Sequence, residues 1–191
     1  MKTFTGLFLI VYGIERVMET FGRRPKLRGK IIARYSLPLI LITYVSFYLT
    51  LLWDWFTTEQ VSVLSVAVGT TFVIASIIGR NWSIKTLGIY HSIHIEIRDH
   101  HSLIQSGPYR FVRNPYYLSN IVEAVGLLLI VNSSRAWIIA ALVYLPVLIH
   151  RLAIEQLALE NKFKANFAKY RAQVPLLIPK CFCRGRYVGS V

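Results

Sequence analysis

The sequence predicts an all-α integral membrane protein with about five transmembrane helices, a C-terminal helical hairpin and a cytosolic segment ahead of that hairpin. Three observations lead there. Only 16% of residues are charged, against roughly 25% in a soluble domain, and the mean hydropathy is +0.48. Two uncharged runs, residues 35–53 and 61–79, each reach about 28 Å at helical rise, close to the thickness of a bilayer's hydrocarbon core. The basic residues are distributed asymmetrically. Arg23, Arg24, Lys26, Arg28 and Lys30 precede the first run, Arg80 and Lys85 follow the second, and the link at 54–60 holds two acids and no Lys or Arg. By the positive-inside rule the link faces outward and both basic flanks face the cytoplasm.

The first helix is expected over residues 3–18. Lys2 ahead of an apolar run imitates a signal sequence, but Glu15, Arg16 and Glu19 follow where a small-residue cleavage site belongs, so the segment reads as retained. In the second helix Pro38 sits near the start, where a missing backbone donor matters least. Trp53, Trp55 and Phe56 form an aromatic belt at its outer end. Residues 85–115 scatter charges and histidines among single apolar residues and read as an ordered cytosolic segment. Apolar character returns at 117–131, pauses at 132–135 and resumes at 136–149, a tight hairpin with arms of about 22 Å. Five spans result, or four if the first helix does not cross. From 151 to 173 the pattern becomes amphipathic, with Leu152, Leu159, Phe163, Phe167 and Tyr170 on one face and Pro175 and Pro179 beyond its end. The 191 residues fit one domain, organised as N-terminal transmembrane helices (1–84), a C-terminal region (85–180) and a basic tail (181–191).

A formal charge of +13 without a groove-reading motif or basic helix points to the anionic cytoplasmic leaflet rather than nucleic acid. Cys181 and Cys183 are the only cysteines, which excludes a disulfide framework and leaves two cytosolic thiols or a site of S-palmitoylation. His91, His94, His100, His101 and His150 lack any metal-ligand spacing, so no metal is expected.

Two blocks concentrate chemistry. Residues 107–117 combine Gly107, Pro108 and Pro115, which impose a turn, with Arg110, Arg113 and three tyrosines. Such a turn suits an anionic or zwitterionic ligand with an aromatic ring, and equally an interfacial anchor. Downstream, Arg151 and Glu155 are four apart on one helical face, followed by Gln156 and Glu160, a spacing also common in surface ion pairs. Glu123 lies inside the apolar run at 117–131, where an acid faces a cavity or reaches the interface.

The run from His101 and Leu103 through Gly107-Pro108-Tyr109-Arg110, Arg113-Asn114-Pro115 and Tyr117, and then Arg151, Glu155, Leu159, Phe163, Tyr170 and Val174-Pro175, resembles the C-terminal signature of isoprenylcysteine carboxyl methyltransferases. The likeness covers about half the chain. It implies that the cytosolic segment binds S-adenosylmethionine and that the enzyme methylates a lipophilic small-molecule or lipidated acceptor reaching it from the bilayer, a prenylcysteine-like carboxylate being one option. Carried over, the cofactor-binding residues are His101, Leu103, Gly107, Tyr109, Arg110, Arg113, Asn114, Pro115, Tyr117, Glu155 and Gln156. The resemblance implies that Arg151 and Glu155 are the catalytic residues and that Arg151 binds substrate, and Glu123, as an intramembrane acid, is a further substrate-binding candidate. Phenolic or enolic acceptors, which need a base, would draw on His101 or Glu123.

Two departures qualify the match. The family carries Arg-His-Pro where this chain has Arg113-Asn114-Pro115, and a pair of Glu at Glu155-Gln156. Asn hydrogen-bonds but does not titrate. The Pro115, Tyr117 and Glu123 pattern also resembles membrane steroid reductases, which use NADPH, and a non-catalytic membrane protein of the same fold is a third reading.

Overall fold

The structure is a computed structural model and describes residues 2–22, 29–57, 62–98 and 102–179. His101, Cys181, Cys183 and the basic tail lie outside the described residues. Five helical runs dominate: α1 (Lys2–Gly22), α2 (Ser36–Thr57), α3 (Val63–Leu87), α4 (Pro115–Val131) and α5 (Ser134–Gln173).

Three of these runs are long and apolar enough to cross a membrane: Ser36–Thr57, Val63–Tyr90 and Ser134–Gln173. The chain is thus an integral membrane protein on three clear spans. The expected five counted two helices that fall short by this measure. α4 is a shorter apolar helix of 17 residues, and α1 carries Lys2, Glu15, Arg16 and Glu19.

The all-α expectation needs one correction. Lys30–Ile31 (β1) pairs antiparallel with Glu96–Ile97 (β2), Lys30 facing Ile97 and Ile31 facing Glu96. Period-two alternation is unreadable over two residues, so no sequence pattern signals this ribbon. It ties the segment before α2 to the segment after α3.

The C-terminal hairpin also differs from its expected form. Its second arm does not end near Ile149; it continues into the amphipathic stretch as one helical run, α5, 40 residues long and kinked at Lys164. A π turn at Ala140–Tyr144 shifts the helix's phase, which lets one helix pack in the main bundle at one end and over the segments at 90–97 and 102–114 at the other. Lys164 leaves helical geometry (φ 43°, ψ −115°), and past it Phe167, Tyr170 and Val174 pack into a second small core with Leu103, Leu159 and Phe163.

The main core runs through all five helices, from Leu9 and Tyr12 through Phe47, Leu51 and Val73 to Leu127, Tyr144 and Leu148. α3 and α4 make its closest crossing. A Cβ added to Gly69 would sit 2.5 Å from the Gly126 carbonyl oxygen, and one added to Gly126 would sit 2.7 Å from that of Gly69. Only hydrogen at both positions permits this approach. α4 ends on Asn132 in the left-handed conformation, which Asn tolerates. Ser133 then caps α5 by accepting the Ala136 N–H over 3.0 Å. Ser133 and Arg135 both engage Asp54 in the last turn of α2. Asp54 therefore belongs to the α2–α5 packing and not to an exposed link.

Candidate functional site

A cavity of about 200 Å³ opens between the ends of the helices that lead into and out of the segment at 88–114, walled by α1, α2, the end of α3, α4, α5 and the segments at 90–97 and 102–114. α5 contributes one face along much of its length, from Tyr144 to Tyr170.

The turn that forms its wall at 107–115 is built locally. Gly107 has φ +57°, and an added Cβ there would approach Thr86 Oγ1 to 2.7 Å, so the position requires glycine. A 3₁₀ turn follows over Gly107–Arg110, and Pro115 opens α4 at a position that needs no backbone donor. The last turns of α5 and the segment after it close on this turn. Arg113 donates its backbone N–H to Pro175 (2.9 Å), Asn114 Nδ2 donates to the Leu176 carbonyl (3.1 Å), and the Tyr170 hydroxyl donates to the Tyr109 carbonyl (2.6 Å).

The side chains above the turn form a connected set. Arg113 Nη1 donates to Gln156 Oε1 (2.8 Å), and Gln156 Nε2 donates to Asn114 Oδ1 (3.0 Å). Tyr117 donates to Glu155 Oε2 (2.7 Å). Arg113 Nε is buried without a hydrogen-bond partner, and the guanidinium lies 6.0 Å from the Phe167 ring centroid. Burial and the nearby Arg171 lower the Arg113 pKa, yet an arginine remains charged. Burial and the Glu155 carboxylate hold the Tyr109 phenol well above its usual range. Burial pushes Tyr170 up to about 12 against the pull of Arg113. Both phenols are therefore neutral hydrogen-bonding groups at neutral pH.

One turn deeper along α5, Arg151 is 9% exposed. Its Nη1 donates to Ser36 Oγ (2.9 Å) and its Nη2 to the Ile93 carbonyl. Both partners are neutral. No carboxylate among the described residues pairs with it within 4 Å.

Of the sequence-predicted site residues, Leu103, Tyr109, Arg113, Asn114, Tyr117, Arg151, Glu155 and Gln156 line this one cavity. Gly107, Arg110, Pro115 and Glu123 do not. Gly107 and Pro115 shape the turn, and exposed Arg110 stacks over its neighbour Phe111 (4.7 Å). Glu123 is completely buried. It accepts from Tyr44 (2.8 Å) and Arg80 and pairs with Arg16 (3.5 Å), so its carboxylate is spent on holding α1, α2 and α3 to α4. Sequence reasoning missed Arg16, Thr20, Tyr44 and Asn120, which also line the cavity. Their one available signal was polarity inside apolar helices.

The fold and the cavity together define a helical membrane protein with a largely apolar pocket, studded with Arg, Glu and amide side chains, that joins the turn at 107–115 to the helical bundle. Residues 67–161 match the family model of the isoprenylcysteine carboxyl methyltransferase (ICMT) family. The chain belongs to this family of membrane methyltransferases. It is also similar to the cobalt-zinc-cadmium resistance protein CzcN of Cupriavidus metallidurans, with 24% identity over 169 residues that cover 88% of this chain and 70% of that protein. Among the described residues no three His, Cys, Asp or Glu side chains gather as a metal centre.

Proposed function

We propose that the protein transfers a methyl group from S-adenosylmethionine to the carboxylate of a lipophilic acceptor that enters from the bilayer, with the pocket facing the cytoplasm. The observation that carries this reading is the state of Arg151. A guanidinium buried this deeply with no carboxylate within 4 Å among the described residues has unspent charge, and an anion beside it would be strongly stabilised.

The residues present fit the cofactor. Arg113, whose Nε has no partner, suits its carboxylate. Glu155, with one oxygen taken by Tyr117, suits its ribose hydroxyls or amino group, and Leu103, Leu159, Phe163 and Phe167 suit its adenine. Bound there, the cofactor supplies an electrophilic methyl on a sulfonium. Asn114 and Gln156 would act by holding Arg113. A carboxylate acceptor is ionised at neutral pH, so the reaction asks for alignment and water exclusion rather than a base. Arg151 would hold the acceptor carboxylate by one oxygen and leave the other free to attack. The neutral phenols Tyr109 and Tyr170 fit a site without a general base. The family match does not favour a nicotinamide-dependent reductase. The test is transfer of labelled methyl from S-adenosylmethionine into a lipid extract: transfer that depends on Arg151 supports the reading, and stabilisation of the purified protein by NADPH alone would overturn it.

A further inference from the structure

We infer that Asn120 is a specificity-determining residue for the acceptor, recognising a neutral oxygen near the acceptor's carboxylate, and that Arg16 orients it for this purpose. The inference rests on the reading of Arg151 as the carboxylate receptor.

Asn120 is 5% exposed and lines the cavity. Its Oδ1 accepts from Arg16 Nη2 over 3.1 Å. A guanidinium only donates, so the oxygen must face Arg16 and the amide orientation is fixed. The Nδ2 group is left without a hydrogen-bond partner among the described residues. A donor without a protein partner on a residue that lines the cavity is open to a guest, and a guest oxygen would satisfy it in place of water.

Depth places that donor level with Arg151. Tyr117 on α4 bonds Glu155 on α5, and the two helices run antiparallel from there through the hairpin. Asn120 lies about one turn beyond Tyr117, and Arg151 about one turn beyond Glu155, both toward the membrane. The two groups therefore stand at one level on different walls of one cavity.

The surrounding charge selects the kind of oxygen. Arg16 and Arg80 share a buried cluster with Glu15, Glu19 and Glu123, two cations against three carboxylates. A second anionic group next to this cluster is disfavoured, while a hydroxyl or carbonyl oxygen is accepted. The acceptor class is a lipophilic acid with a neutral oxygen close to its carboxylate, in preference to a plain fatty acid. Arg16 lies outside the family match at 67–161, so the N-terminal helix brings the residue that orients this contact.

Palmitate and α-hydroxypalmitate, which differ by one hydroxyl, test the inference on the full-length protein in detergent. Binding of each acid is measured by thermal shift, and labelled methyl transfer to each is measured separately. Wild type should bind the hydroxy acid roughly fivefold more tightly, the worth of one hydrogen bond. Asn120→Ala should erase that ratio with S-adenosylmethionine affinity unchanged. Asn120→Asp, which keeps the bond to Arg16 but turns an oxygen toward the guest, should weaken both acids. Equal binding of the two acids by wild type, or a ratio that survives Asn120→Ala, overturns the inference, even if methyl transfer proceeds. Discrimination in binding without any transfer would uphold Asn120 and count against the methyltransferase reading. If neither acid binds, both fail.

Discussion

Gln156 donates through Nε2 to Asn114 Oδ1 over 3.0 Å, so the two positions at which the chain departs from its family's pattern touch each other. All four polar atoms of the two amides are engaged: Arg113 donates to Gln156, Gln156 to Asn114, and Asn114 to the Leu176 carbonyl. The His and Glu that the resembled signature carries at these positions would titrate; the Asn and Gln here do not. The departures read as a matched exchange that preserves the link between the turn, α5 and the segment after it.

Gln156→Glu alone places a carboxylate against the Asn114 oxygen. It should weaken cofactor binding about tenfold, since an unmade buried hydrogen bond costs about 1 to 3 kcal/mol. Asn114→His alone should also weaken it. The double variant should recover most of the affinity while acquiring a pH dependence through the histidine range that wild type lacks. Calorimetric titration with S-adenosylmethionine at several pH values checks this, and additive losses in the double variant would show that the pair is not a unit.

The α3–α4 crossing should tolerate no side chain. Gly126→Val drives a methyl group into the Gly69 carbonyl and should cost about 1 to 3 kcal/mol, read as earlier thermal aggregation in detergent. Gly22→Ala is the control, because a Cβ there meets nothing within 4 Å.

Arg80 is completely buried and holds Glu19 (2.7 Å), Glu15 (3.3 Å) and Glu123. Arg80→Ala leaves buried carboxylates uncompensated and should cost about 3 to 5 kcal/mol. Adding Glu123→Gln removes one of those charges and should restore part of the loss. Yields of monodisperse protein on size exclusion give the comparison.

Much of this was legible in the sequence, for identifiable reasons. The α2 and α3 spans follow from uncharged runs of bilayer length, and the turn at 107–115 from Gly and Pro in a fixed order. The gathering of Arg113, Glu155 and Gln156 was foreseeable as two spaced blocks. The continuity of α5 was not, because its period changes from all-round apolar to amphipathic at the membrane surface and the π turn at Ala140–Tyr144 leaves no residue signature. Glu123 was expected at the substrate because an intramembrane acid marks a site by default. Its partners Arg80 and Arg16 lie 43 and 107 positions away in the chain, a distance over which no local pattern reports contact.

The raised phenols give a pH dependence with a definite sign. Unfolded tyrosines lose their protons near pH 10, whereas folded Tyr170 holds its proton to about 12 and Tyr109 is also raised. Between these values the unfolded state binds fewer protons, so stability falls as pH rises. It should be level with respect to these groups from neutrality to about pH 9 and decline above about 10. Tyr170→Phe should flatten that decline in thermal melts across the alkaline range.

The central claim is tested most directly by labelled methyl transfer from S-adenosylmethionine into membrane lipid, compared between wild type and Arg151→Ala, with cofactor affinity measured on both. The account predicts a labelled, lipid-extractable methyl ester with wild type, a loss of about a hundredfold or more in Arg151→Ala, and unchanged cofactor affinity. Transfer that persists undiminished without Arg151, or a protein that binds the cofactor and labels no lipid, would contradict it.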